Sequence, residues 1–439
     1  MSIEKNLINN VQEKIINNEL TKEVVPVQVV SEEEKQTQIN NKAEKDEENN
    51  KQIEKIRQDI EKQFNSEAKS ITVDALDFFN GNEKAMKEYF TKIGTEYVVG
   101  VPIEESVVRM ELQNEILKIL KPGTPVVIEA YSRQGKTSML KSIGNEWEKT
   151  NGEAAIFIDP MKTEYKWSTQ SKEEFLNDFG KSSVEDYLED YFPDVDSEDM
   201  EGKNPFVFLD ELLQKEGKEV MLQIDETTRF SRDDGEKLKD LTENLKNLKN
   251  VKVILAWHPF DNLSEISNGA FKDCERIPIK PLTISDVKTL IEKPIKEMGS
   301  EIVITNEALE KILDYTGGRP IDINLFCKNL FGAEGKNPLY KMKYDEKDIE
   351  EFIKKNSEED VFGITRKSVF PDVFNSLNDK HRETINKIIN NGGVVELNQI
   401  QLNEAEDLTN LGLIRKNEDG NSYKINGEIT LNLMKEIGV

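Results

Sequence analysis

"AYSRQGKTSML", residues 130–140, is the stretch from which the fold can be read. It follows the short apolar run "PVVIE" (125–129) and opens an amphipathic stretch over 136–149. The expected local order is a buried strand, a turn and a helix. Ala130, then Gly135-Lys136-Thr137, keeps the spacing of a phosphate-binding loop, with Ala where Gly is usual. Such a loop curls its backbone N–H groups around an anion, and the N-terminus of the following helix adds positive potential. Gly135 lets the backbone approach closely, Lys136 reaches the β- and γ-phosphates, and Thr137 holds Mg2+. Ala130 adds one methyl group, which weakens the geometry at worst. In the empty loop the Lys136 side chain is expected to face solvent.

Outward from the loop, "AAIFID" (154–159), "VMLQIDE" (220–226) and "VKVILAW" (251–257) also read as buried strands. Helical stretches such as 136–149 and 234–249 lie between them, and "RIPIKPL" (276–282) completes a fifth run. Strands alternating with helices predict an α/β fold, with a parallel five-stranded sheet covered on both faces. The connection from Lys181 to Lys203 holds nine Asp/Glu against two Lys and reads as a solvated helical insertion.

"VMLQIDE" ends an apolar strand with Asp225 and Glu226. An acid at the end of a strand neighbouring the loop suits ordering of Mg2+ through water, and the next carboxylate suits polarising an attacking water. The same dipeptide also suits a polar turn; the loop upstream favours the chemical reading.

Composition bounds the rest. The 439 residues suffice for two or three domains, with 36% apolar and 33% charged residues. Two cysteines and two histidines are too few for a disulfide framework or a His/Cys metal cage. No apolar run approaches a membrane span, and "MSIEKNLINN" lacks a basic-then-apolar leader, so membrane insertion and secretion are not expected and the cytoplasm is. A net charge of −26 opposes nucleic acid. Residues 1–70 read as a charged, largely disordered tail: "SEEEKQTQINNKAEKDEENN" (31–50) offers little to bury. Leu7, Ile8, Val11, Ile15 and Ile16, and Ile53, Ile56, Ile60 and Phe64, recur at helical spacing on either side of it.

Residues 71–120 read as a helical lead-in and 121–282 as the phosphate-loop domain. After Pro281 the strands are expected to stop. Residues 284–299 and 306–315 read as helices, and "TGGRPIDINLFCKNLFG" (316–332) turns into another, giving a helical domain over 283–357. In the segment 358–439, helices at 370–390 and 403–412 precede "LIRKNEDGNSYKING", two short strands around an Asp-Gly turn, which suggests a winged helix-turn-helix. Its helix 403–412 carries Glu404, Glu406 and Asp407 and no basic residue; only Arg415 and Lys416 could meet phosphates. Over 361–439 nine Lys/Arg stand against eleven Asp/Glu, which favours protein packing over DNA binding.

Taken in order, "PVVIEAYSRQGKTSML", "MLQIDE", "TGGRP" and the wing-bearing tail resemble the AAA-like ATPases of the STAND and archaeal-type group, relatives of the Orc/Cdc6 branch of AAA+. "YVVGVPI" (97–103) looks like that family's lead-in, and the likeness covers about 97–439. Its loops usually read Gly-Pro-Arg-Arg-X-Gly-Lys-Thr-Ser-Leu-Leu; this chain keeps Arg133, Gly135, Lys136, Thr137 and Ser138 and departs at Ala130, Tyr131 and Ser132. The resemblance implies ATP and Mg2+ as ligands. Nucleotide contacts are then expected along Ala130, Arg133, Gln134, Gly135, Lys136, Thr137 and Ser138. Thr137 and Asp225 would serve the metal, with Glu226 and Lys136 catalytic. It also implies that the Gly318-Arg319-Pro320 turn of a lid packs on the base, with Arg319 toward the phosphates. The same three residues equally suit a helix stop. The family's γ-phosphate sensor position falls at His258, where Ser, Thr or Asn is usual; a capped turn before Pro259 is the other reading. A trans-acting arginine falls at Arg229 or Arg232. The function implied is an ATP-hydrolysing conformational switch working with protein partners, as an ATP-dependent homo-oligomer. A DNA-loading or transposition-type ATPase and a non-hydrolysing nucleotide-binding scaffold stand as alternatives.

Overall fold

In the computed structural model the chain separates into two units, Met1–Ile71 and Thr72–Val439. The described residues are 75–97, 108–130, 134–160, 171–195, 197–231, 235–258, 269–333, 338–357, 377–410, 412–417 and 420–437, all in the second unit. The expected tail of residues 1–70 and its two amphipathic patches lie outside them, as do Arg133, Arg232 and most of "YVVGVPI".

After a helical turn at Ala75–Phe78 come α1 (Glu83–Thr95) and α2 (Met110–Ile119), then β1 (Val126–Glu129) and α3 (Lys136–Asn151). β2 (Ala155–Ile158), α4 (Lys172–Tyr191), α5 (Pro205–Glu216), β3 (Val220–Ile224), α6 (Glu236–Leu245), β4 (Val251–Trp257) and β5 (Glu275–Pro278) complete the sheet and its cover. Local chemistry fixes these ends. Ser171 and Glu174 close a capping box on α4, Asn204 caps α5 ahead of Pro205, and left-handed glycines end α3 and α5.

The five strands are parallel in the order β2-β3-β4-β1-β5. Every residue of β3 is buried, and separate apolar clusters lie on the two faces, which is why these strands read as continuous apolar runs. Asp225 follows a strand that does not neighbour β1, contrary to expectation: β4 lies between them. Among the described residues β5 pairs only with β1, and it ends at Pro278, four residues short of the expected run. A proline cannot donate to a ladder, and an edge strand tolerates it.

The helical segment comprises α7 (Ile284–Glu297), β6 (Val303–Ile304), α8 (Asn306–Thr316), α9 (Pro320–Leu330), β7 (Lys343–Tyr344) and α10 (Glu346–Ser357). Strands therefore do not stop at Pro281: β6 and β7 pair in parallel. Two residues each are too few to show a period. The C-terminal segment holds α11 (Asp379–Asn390), β8 (Val394–Glu396), α12 (Leu402–Asn410), β9 (Ile414–Lys416), β10 (Ser422–Ile425) and α13 (Glu428–Ile437). Its antiparallel sheet has the order β8-β10-β9, so a third strand joins the two read from sequence, and α13 follows them. One apolar core runs from Phe90 and Tyr97 through Leu309 and Phe326 to Leu408 and Met434. The lead-in helix α1, the helical segment and the C-terminal elements thus share packing, while α2 contributes Ile116 to the core under the sheet. Among the described residues no helix is long and apolar enough to cross a membrane.

Candidate functional site

β1 delivers the chain to Ala130, and α3 begins at Lys136 with Gly135 as its N-cap. Gly135 has φ +89°, a conformation that costs glycine little and side chains much. No side chain caps α3 at Gly135 and no acid lies in its first turn, where a helix presents its N–H groups. These features suit an anion. Tyr131, Ser132 and Arg133 lie outside the described residues.

Lys136 is not solvent-facing. It is 6% exposed, and its Nζ donates to Ala130 O at 2.6 Å. A buried ammonium needs an acceptor, and the loop's own first carbonyl provides one. Burial pulls its pKa down to about 8, opposed by the carboxylates of Glu226 and Asp225.

Thr137 Oγ1 donates to Asp225 Oδ2 at 2.6 Å, so β3 meets the loop helix despite the intervening strand. Two residues earlier on the same face, buried Gln223 donates through Nε2 to Leu140 O at 2.6 Å. Gly144 makes room for it, since a Cβ there would stand 2.8 Å from Gln223 Oε1. Gln223 is the polar residue inside the otherwise apolar "VMLQI", a signal that sequence reasoning passed over.

Glu226 N donates to Asp225 Oδ1 at 2.9 Å, and Glu226 has φ +46°, strained for a side-chain-bearing residue. Burial raises its carboxyl pKa, and Asp225 and Asp159 add to this against Lys136 and Arg229. Thr227 Oγ1 donates to Ala256 O at 2.7 Å and Thr228 Oγ1 accepts from His258 N at 2.8 Å. These two threonines, also missed, fasten the turn after the acid pair to the end of β4. His258 itself is buried, and that burial, with nearby Lys136, holds its pKa well below the usual range. The imidazole is neutral at physiological pH.

Of the Gly318-Arg319-Pro320 turn, Pro320 comes to the loop: a Cβ at Gly135 would stand 3.8 Å from Pro320 Cγ. Arg319 pairs with Asp322 on its own helix, and both are buried. Gly318 has φ +72° and its carbonyl accepts from Leu282 N at 2.8 Å, at the entrance to the helical segment. The C-terminal segment also arrives here. A Cβ at Gly412 would stand 2.9 Å from Gln134 Nε2. Asn426 Nδ2 donates to Gly317 O at 2.8 Å and to Gly412 O at 3.0 Å. Ala130, Gln134, Gly135, Lys136, Thr137, Asp225, Glu226 and His258 thus gather at the C-terminal ends of the strands, where open α/β sheets bind ligands. Ser138 lies in the first turn of α3. The donor set fits a nucleotide phosphate chain with Mg2+: a glycine-built turn, a buried ammonium, and a hydroxyl against a carboxylate.

No protein-family model matches the chain, and no curated protein matches it. Among solved structures it is similar to a Walker-type ATPase of Pyrococcus abyssi, at 16% identity over 76% of this chain and 99% of that one, with a TM-score of 0.45. It is also similar to the Orc2 protein of Aeropyrum pernix in ADPNP-ADP complexes, at 12% identity over 78% and 96% of the two chains, with a TM-score of 0.43. Cdc6p of Pyrobaculum aerophilum shares 14% identity over 78% and 97%, with a TM-score of 0.38. The P-loop NTPase type of α/β fold in this chain rests on its own strand order and on the Gly135 turn into α3, and it is consistent with the Orc/Cdc6-related AAA+ resemblance carried by its motifs.

Proposed function

We propose that the protein is an ATP-driven conformational switch. It binds Mg-ATP between the parallel-sheet domain and the helical lid, hydrolyses it slowly, and passes the change to protein partners or further copies of itself through the C-terminal segment. The observation that carries this reading is the meeting of three parts at one loop. Pro320 of the lid stands beside Gly135, Gly412 of the C-terminal segment stands beside Gln134, and Asn426 bridges Gly317 and Gly412. A ligand seated on the loop therefore acts on residues that both other parts pack against, and it shifts an equilibrium only if it binds one arrangement of those parts better than another.

Bound Mg2+ supplies charge neutralisation at the phosphate oxygens. Thr137 and Asp225 are the residues that would hold it. Lys136 exchanges its bond to Ala130 O for a phosphate oxygen, a charge-assisted partner. Glu226 orients and deprotonates the attacking water. His258, neutral, offers a hydrogen bond on the same side.

The DNA-loading reading loses support from the C-terminal segment. Arg415, one of the two basic residues positioned for a phosphate, pairs with Asp314 of α8, and Lys424 Nζ stands 3.9 Å from the same carboxylate. Glu404, Glu406 and Asp407 remain on α12.

A phosphate-release assay, with mass photometry and small-angle scattering on the free, ATP-analogue and ADP forms, tests the proposal. The expected result is slow release and an ATP-specific change in compactness or mass. Asn426→Ala should weaken that change while nucleotide binding persists. Tight binding with no release supports the scaffold reading instead, and a salt-dependent shift with duplex DNA would restore the DNA reading.

A further inference from the structure

Gln134 O, the carbonyl just ahead of Gly135, accepts from Arg109 Nη1 at 2.8 Å. The other end of the same guanidinium, Nη2, donates to Lys280 O at 2.7 Å. The Arg109 backbone N donates to Asp286 Oδ1 at 2.9 Å, while the second Asp286 oxygen closes the capping box of α7 with Thr283. Arg109 takes φ +58°, a left-handed conformation held at the start of α2. A non-glycine residue keeps that backbone only where its surroundings hold it there. One residue therefore touches the phosphate loop, the connection from β5 into the lid, and the lid's first helix.

The geometry has a direct consequence for the loop. In a trans peptide the C=O and the N–H point in opposite directions. Fixing Gln134 O toward Arg109 turns the Gly135 N–H to the opposite side, away from the guanidinium. The guanidinium packs directly against this peptide, since a Cβ at Gly135 would stand 3.4 Å from Arg109 Nη1. Burial lowers the Arg109 pKa to about 10, so it is charged at neutral pH.

We propose that Arg109 is a positioning residue for nucleotide: by holding Gln134 O it orients the Gln134–Gly135 peptide for a phosphate, and through Lys280 it couples that orientation to the lid. The inference rests on the phosphate-loop reading. A planar guanidinium serves two carbonyls at once, and a lysine ammonium in the same place serves one.

The test uses the full chain and Mg-ADP by calorimetry, with scattering profiles of the free and Mg-ADP forms. Arg109→Ala should lower Mg-ADP affinity about tenfold or more. Arg109→Lys should recover part of that affinity yet lose part of the nucleotide-dependent change in the scattering profile. A purely structural role would lower the melting temperature of the free protein and leave affinity and profile change untouched. Parental affinity in folded Arg109→Ala overturns the proposal, and so does an Arg109→Lys variant that matches the parent in both readouts. The second variant decides the matter if the first does not fold. Lys136→Ala serves as the control. If it binds Mg-ADP like the parent, the phosphate-loop reading itself has failed and the role of Arg109 falls with it. If it loses binding while Arg109→Ala does not, only the present inference fails.

Discussion

Thr137 Oγ1 donates to Asp225 Oδ2 across 2.6 Å, joining residues 88 positions apart. Because β4 separates β3 from β1, this contact depends on α3 crossing back over the sheet. It links the loop hydroxyl to the carboxylate that the metal reading needs. Thr137→Ala should leave the buried Asp225 short of a partner and cost about 1–3 kcal/mol of stability. It should also bring the ADP affinities measured with and without Mg2+ close together. Calorimetry in both conditions checks this, and an unchanged ratio would remove Thr137 from the metal site.

Lys136 should make nucleotide affinity depend on pH. In the free protein its pKa is lowered from 10.5 to about 8, mainly by burial. Between those values the unfolded chain holds a proton that the folded one has released, so this group's contribution to stability rises with pH across that window. A phosphate beside Lys136 restores the charged form. Binding of Mg-ADP should therefore take up a proton above about pH 8, and affinity should fall as pH rises there. Titrations in buffers of different ionisation enthalpy read the proton directly. Lys136→Ala should lose most of the affinity together with the proton uptake.

Glu226 combines a raised carboxyl pKa, caused first by burial, with a left-handed backbone. A carboxylate whose folded pKa lies above its unfolded value loses stability as pH rises from the unfolded value through the folded one. Glu226→Gln removes that charge at similar size. It should bind Mg-ATP, release no phosphate above background, and melt at a higher temperature than the parent at neutral pH. A lower melting temperature would show that the ionised carboxylate is well compensated in the fold.

How much of this was legible in advance follows from the range of the interactions. β4 was read to its exact limits because "VKVILAW" is a continuous apolar run. The strand, turn and helix around Gly135 were legible because their signals sit in consecutive residues, with β1 ending at Glu129 and α3 beginning at Lys136. Strand order was not, since pairing is long-range and leaves no local period. Arg109 was missed because its side-chain partners are backbone carbonyls, 25 and 171 positions away, and any residue type can supply those. Lys136 was expected in solvent because its acceptor, Ala130 O, becomes available only once the loop has closed on itself. Gln223 could have been found, because an amide in a fully buried strand must be answered by a partner.

Arg319 is the group expected to tell ATP from ADP, since only ATP offers it a γ-phosphate. In the free protein it pairs with Asp322 through Nη2 and Oδ2, with Asp322 fully buried. That pair changes how the idea must be tested. Arg319→Ala alone would strand a buried carboxylate, a defect worth about 3–5 kcal/mol. Lost activity would then report a damaged lid. Arg319→Met combined with Asp322→Asn removes both charges at similar volume and keeps α9 in place. If Arg319 leaves Asp322 for the γ-phosphate, the double variant should bind Mg-ADP like the parent and bind an ATP analogue no better than ADP. Its scattering profiles with the two nucleotides should coincide, where those of the parent differ. A double variant that still separates the two nucleotides would assign discrimination elsewhere, with His258 next in line because it is buried near Lys136 at the end of β4. Identical profiles for the free, ATP-analogue and ADP forms of the parent would make the protein a static nucleotide-binding module.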